Sequence, residues 1–300
     1  MNRSQIYVIL ATLGFSFILI FATVLKDTGM SSFEQLFFRL VFSFLILTLA
    51  MLFRRRLLLT KKKDVPFFAT IGFTYAFFAL SGLSAIAFGT PIAVSVALVY
   101  TQPIFTAVIA FSTRKEKVTV VNAAVVVLGV AGAFFVSGLN VANPEINLGI
   151  VLPVLAGLLY AVYLWLKRQA PTREYTPFQV LFQTFLFAIP VLSIAWVVFR
   201  NFSVEPLFVG FSTPDLEQLV LLFCFGLFST VLPYGLLNYV SAEEVSPTTE
   251  GMLLLGDPLL HTFWAMIFFG EFISVIQYVG AALILTSAAI NLKMTARSAG

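Results

Sequence analysis

The sequence predicts an all-α integral membrane protein in which ten transmembrane helices form two inverted five-helix repeats. Three observations carry this. Hydrophobic residues make up 60% of the 300 and charged residues 11%, where soluble chains hold roughly 45–50% and ~25%. A water-facing surface has no place for 34 Phe. Ten apolar runs are long enough to cross a hydrocarbon core ~30 Å thick, which takes about 20 residues. A motif in the first half returns in the second, an odd number of spans later.

The runs fall at 5–25, 32–53, 66–88, 91–111, 118–138, 148–166, 177–199, 218–240, 247–269 and 275–293. The first reads as a span and not as a cleaved leader, since no small-residue cleavage site ends it and nine further runs follow. Thr90-Pro91 opens the fourth run and Ser246-Pro247 the ninth; a capping hydroxyl followed by proline is a helix-start signal. Arg200 to Glu217, with Pro206 and Pro214, reads as an ordered loop or re-entrant turn. Basic residues set the orientation. With the N-terminus in the cytoplasm, 15 Lys and Arg face that side, only Lys26 and Arg200 face outward, and Arg39 lies within a span. This places both termini in the cytoplasm and makes the chain a multi-pass protein of the cell membrane.

The scarce residues exclude several chemistries. With Cys224 alone there is no cysteine cluster to hold a metal, and with His261 alone no H-E-x-x-H. No phosphate-binding G-x-x-x-x-G-K-[ST] occurs. The net charge of +4 is too small and too scattered for nucleic acid. No cofactor is expected; the lipid bilayer and a small molecule are the partners that remain.

In the first half Glu116 follows Pro103 by thirteen residues, and in the second Glu271 follows Pro258 by thirteen. FEQLFFR, ending in Arg39, aligns with PFQVLFQ, ending in Gln183. The repeats are expected at 1–140 and 146–294. Because five is odd, the copies are inserted upside down. Two such halves can exchange conformations, which gives two states open to opposite sides.

The Pro, the Glu thirteen residues on, and small residues in the next span (Gly132, Gly280, Ser287) resemble a duplicated EamA domain of the drug/metabolite transporter superfamily. Val125 departs from the pattern, standing where the second half has Gly280. The resemblance covers nearly the whole chain. It implies ten helices, a cavity between the halves and the transport or efflux of a metabolite. It also implies a general assembly or gating role for the basic residue at Arg39.

Ionisable groups inside the hydrocarbon are costly, about 2.5 to over 10 kcal/mol at mid-span, and normally face the bundle interior. Asp257 sits near the middle of the ninth span and Gln102 at the middle of the fourth, each directly before its proline, Pro258 or Pro103. A proline frees a carbonyl one turn back, so side chain and backbone together suit a midplane site. A purely structural Asp257 is the competing reading. Glu250, Asp257 and His261 share one face of an unbroken helix, which makes them candidates for proton coupling. Glu250 also reads as a solvated acid in the first turn of its helix. Arg39 needs a partner, with Glu34 or Asp257 in range. Tyr160, Tyr234, Ser16 and Asn238 complete the polar wall of the expected substrate site. Tyr100 is two residues from Gln102 and so points away from it on an ideal helix.

These residues predict a secondary active or facilitative transporter working by alternating access. Its expected substrate is an amino acid or a related amphipathic metabolite, moved outward. An intramembrane aspartyl-type hydrolase is the alternative, suggested by Gly256-Asp257, but no second deep acid accompanies it. A scaffold without transport would not need polar groups on matched inner spans. Gly129 and Gly132 permit close helix contact within a monomer or between the copies of a homodimer.

Overall fold

A computed structural model describes residues 2–53, 60–88, 92–113, 119–136, 148–201, 213–270 and 274–298. Helix is the regular structure within them, with no strand among the described residues. Nine helical segments there are long and apolar enough to cross a membrane, and Val120–Val136 adds a shorter tenth. The helices are α1 (Arg3–Ser16), α2 (Ile18–Asp27), α3 (Ser32–Phe53), α4 (Val65–Ala87), α5 (Ile92–Val99), α6 (Gln102–Ser112) and α7 (Val120–Val136). The second half holds α8 (Leu148–Lys167), α9 (Pro177–Asn201), α10 (Leu216–Gly226), α11 (Leu232–Asn238), α12 (Pro247–Leu254), α13 (Gly256–Phe269) and α14 (Val275–Ser298). Glu116, Glu271 and Thr90-Pro91, and most of the stretch from Arg200 to Glu217, lie outside the described residues.

The inversion is visible in which ends meet. Asn2 donates to the Glu244 carbonyl at 2.8 Å, and the Ser4 N–H donates to the Glu244 carboxylate at 3.1 Å. This joins the start of α1 to the turn before α12. Arg173 pairs with Asp64 at 2.8 Å, joining the turn after α8 to the start of α4. The first span of repeat one therefore begins on the side where the first span of repeat two ends. Lys61, Lys167, Arg168 and Arg173 all lie on this basic side. On the opposite side Gln218 donates to Thr28, tying the start of α10 to the end of α2. Outside the spans, hydrogen bonds from Ser4 hold the Glu244 carboxyl below the usual carboxylate range. The hydrogen bond from Lys61 does the same for Glu174.

Polar backbone satisfies itself within each helix, so helices alone cross lipid here. Side-chain caps close several of the described helix starts. Asn2 and Gln5 form a reciprocal capping box on α1, Asp215 and Gln218 another on α10, and the Ser246 hydroxyl accepts from the Thr249 N–H to start α12.

Among the described residues four spans are interrupted helices. The fourth breaks at Tyr100–Thr101 between α5 and α6, and the ninth at Leu255 between α12 and α13. These are the positions their prolines dictate. Pro103 has no N–H for the Val99 carbonyl and Pro258 none for that of Leu254. The first span, expected as one helix, breaks at Phe17 without a proline, where the Ser16 hydroxyl turns back to the Leu13 carbonyl at 2.7 Å. The eighth passes through a π-helical segment, Leu227–Val231, before Pro233; the widened turn absorbs the missing proline N–H.

Packing against the α5–α6 break depends on Gly157. A Cβ on Gly157 of α8 would stand 2.7 Å from the Val99 carbonyl and 2.9 Å from the Thr101 hydroxyl. Gly157→Leu is expected to push α8 off the α5–α6 break and cost about 1–3 kcal/mol or more, the usual penalty of overpacking. Denaturant unfolding in detergent measures it. Gly132 and Gly280 make a close helix contact within the chain. Each lies against the other's backbone, with a Cβ on Gly132 only 2.8 Å from the Gly280 carbonyl. That approach joins α7 to α14 within one chain.

Candidate substrate and coupling site

The two proline-induced breaks meet. Asp257 stands in the first turn of α13, 3% exposed, where the N-terminal end of the helix dipole favours a carboxylate. The Tyr100 hydroxyl, on the break between α5 and α6, donates to its Oδ2. Each repeat therefore contributes one group to a buried contact between discontinuous helices. His261, one turn on, places Nδ1 3.5 Å from the same carboxylate oxygen. Asp257 Oδ1 and both His261 ring nitrogens have no hydrogen-bond partner among the described residues. A buried acid with one free oxygen beside an unpartnered imidazole can accept a proton or a cationic group.

Gln102 is fully buried, and its amide donates to Thr106, with Oε1 left unpaired among the described residues. It thus turns along α6, and Tyr100 makes the contact expected of it. The ideal-helix spacing that set Tyr100 aside does not apply across the break that Pro103 imposes.

An aromatic wall adjoins this centre. Tyr160 stacks on Phe78 at 4.6 Å and lies in electrostatic range of both Asp257 and Glu250. Tyr75, Tyr163 and Tyr234 meet edge-on at 5.3–5.9 Å, and Phe15 meets Tyr234 at 4.7 Å. Tyr160, Tyr100 and Asp257 are all buried. An open apolar groove of about 340 Å³ lies apart from this centre, between α6, α7 and the start of α12, lined by Val108, Phe111 and Val126 among others.

Three expected members sit elsewhere. The Ser16 hydroxyl accepts from Trp264 Nε1 at 2.8 Å, closing α1 against α13. Asn238, at the end of α11, donates to the Pro177 carbonyl at 3.3 Å on the basic side. Arg39 makes no ion pair among the described residues. Its guanidinium lies over the Phe225 ring, 4.9 Å from the centroid, and faces Tyr75. Glu34, its nearer expected partner, is taken by the Ser31 N–H at 2.8 Å and hydroxyl at 2.6 Å in capping α3.

Glu250 corrects the solvated reading. It is 0% exposed and binds two cations: Lys167 Nζ at 2.5 Å, and Arg168 through Nη2 at 2.5 Å and Nε at 3.0 Å. The break at Leu255 also interrupts the continuous face proposed for Glu250, Asp257 and His261. Asp257 and His261 come together; Glu250 belongs to a separate ionic cluster at the basic end. Lys167 and Arg168 carried no signal beyond the orientation bias. Eighty-three residues separate Lys167 from Glu250, and only the fold joins them.

An EamA-like transporter family model matches residues 2–138 and 147–293. The chain belongs to this family and is a multi-pass membrane transporter. A solved structure described as "Crystal structure of protein" superposes with a TM-score of 0.80 over 99% of both chains at 15% identity, a likeness of fold. A comparison with curated proteins finds no match.

Proposed function

We propose that this transporter moves a small organic metabolite, an amino acid or related amphipathic compound, outward across the cell membrane by alternating access. The basic side faces the cytoplasm, as the positive-inside bias requires. The observation that carries the reading is the buried Tyr100–Asp257 contact between two matched helix breaks. Discontinuous helices at the repeat interface are where secondary transporters hold substrate and coupling ions.

Asp257 and His261 form the proton-coupling pair in this reading. Gln102, Tyr160 and Tyr234 line the substrate path. The aromatic wall suits an apolar or aromatic side chain, and Asp257 suits a proton or an ammonium group. Pro103 and Pro258 supply the two hinges. Glu250 stands outside the proton route because its carboxylate is the counter-ion of two cations. The hydrolase alternative needs a second carboxylate at Asp257. Among the described residues its ionisable neighbours are His261, Tyr100 and Tyr160, none of them a carboxylate.

The test is flux in proteoliposomes made from the full chain. Amino acids and related amines are offered with and without a pH gradient. Accumulation of at least one compound above protein-free vesicles, increased by the gradient, is the expected result. Gradient-independent accumulation overturns the coupling, and no accumulation of any compound overturns the substrate class.

A further inference from the structure

The Glu250 cluster has an unequal charge count. Two buried cations share one carboxylate, and the side chains of Lys167, Arg168 and Glu250 are 2%, 9% and 0% exposed. No other acid faces Lys167 or Glu250 among the described residues. Each cation also has a backbone acceptor of its own. Lys167 Nζ donates to the Leu237 carbonyl at 2.7 Å, and Arg168 Nη1 to the Val245 carbonyl at 2.9 Å. Both cations thus have a second anchor besides Glu250.

The cluster also bridges a seam. The main packing partners of α8 are α4, α5 and α6, and α8 makes no extended packing with α11 or α12. The ionic bridge at the end of α8 thus joins elements that otherwise touch little. Beside it lies a void of about 10 Å³ bordered by Thr106, Trp165, Arg168 and Glu250.

We propose that Lys167 and Arg168 form a carboxylate-binding site at the cytoplasmic entrance, in which the carboxylate of the transported metabolite displaces Glu250. This rests on the transporter reading and narrows its substrate class to metabolites bearing a free carboxylate. The exchange is one of like for like. An incoming carboxylate meets the same donors that now hold Glu250, two guanidinium N–H groups on one oxygen and the ammonium on the other. Releasing Glu250 frees α12 from α8 and opens the seam as the substrate enters. Glu250 and Asp257 are seven residues apart, about 10 Å of helix rise. An α-amino acid is too short to span that distance. It is bound first by its carboxylate at the entrance and then by its amine at the centre, with Tyr160 between.

The test uses the full chain in detergent and reads its thermal unfolding midpoint against ligand concentration. The probes are L-phenylalanine, L-glutamine and L-glutamate, each beside its C-terminal carboxamide. The carboxylate form of at least one is expected to stabilise the protein where its carboxamide does not. Its half-saturating concentration is expected to fall at least tenfold in Glu250→Gln, which removes the resident competitor, and to rise again when Arg168→Gln is added. Equal stabilisation by acid and amide overturns the proposal, as does an unchanged half-saturating concentration in Glu250→Gln. If Glu250→Gln does not fold, the acid–amide comparison on the unaltered chain decides. Absence of any response while some compound is carried in proteoliposomes overturns this site alone; absence of both overturns the transporter reading with it.

Discussion

Asp257→Asn is expected to reduce flux in proteoliposomes by about 10- to 100-fold, the equivalent of the ~1.5–3 kcal/mol carried by a hydrogen bond to a charged group. The residual flux should show no dependence on a pH gradient. The substitution is nearly isosteric, so the Tyr100 hydroxyl keeps an acceptor and the α12–α13 break keeps its shape. What disappears is the charge and the ability to take up a proton. A structural Asp257 predicts a different pattern: lower thermal stability, with flux per folded molecule and its gradient dependence both retained. Measuring flux and unfolding on the same preparation separates the two.

The second large effect is an asymmetry in the Glu250 cluster. Glu250→Gln leaves two buried cations without a counter-charge and is expected to cost about 3–5 kcal/mol of stability. Lys167→Met leaves Glu250 paired with Arg168, a neutral couple in which two guanidinium N–H groups share one carboxylate oxygen, and buries an unbranched apolar chain in place of the ammonium. Its cost is expected to be less than half as large. Denaturant titration of both variants in detergent checks this. Equal losses would mean that the two cations act as a single unit, and a larger loss for Lys167→Met would contradict the charge count itself.

The sequence made the ten spans legible because hydropathy over about 20 residues is set by lipid thickness and needs no tertiary information. It marked the breaks in the fourth and ninth spans through Pro103 and Pro258, since a missing N–H acts wherever the helix packs. The break at Phe17 and the π segment before Pro233 followed no periodic signal. They arise where the Ser16 hydroxyl and Trp264 meet, and where a proline is absorbed by widening one turn. The candidate site was partly readable. Asp257 stood out because a lone acid in an apolar span needs an interior partner. Its actual partner, Tyr100, was hidden by the assumption of a straight helix. Glu250, Lys167 and Arg168 each had a sufficient local reading, as a helix-start acid and as positive-inside residues. Their pairing depends on how α8 and α12 are brought together, which no local pattern encodes. Ser16 and Asn238 are polar and within spans, yet their bonds to Trp264 and to Pro177 use them as fasteners between helices.

Alternating access through the Tyr100–Asp257 centre is tested most directly by a single cysteine at Gln102, introduced in a Cys224→Ser background and probed with a membrane-impermeant thiol reagent from each side. The account predicts modification from both sides, with substrate raising the rate on one side as it lowers it on the other. Modification from one side only, unchanged by any substrate that the protein carries, would contradict it.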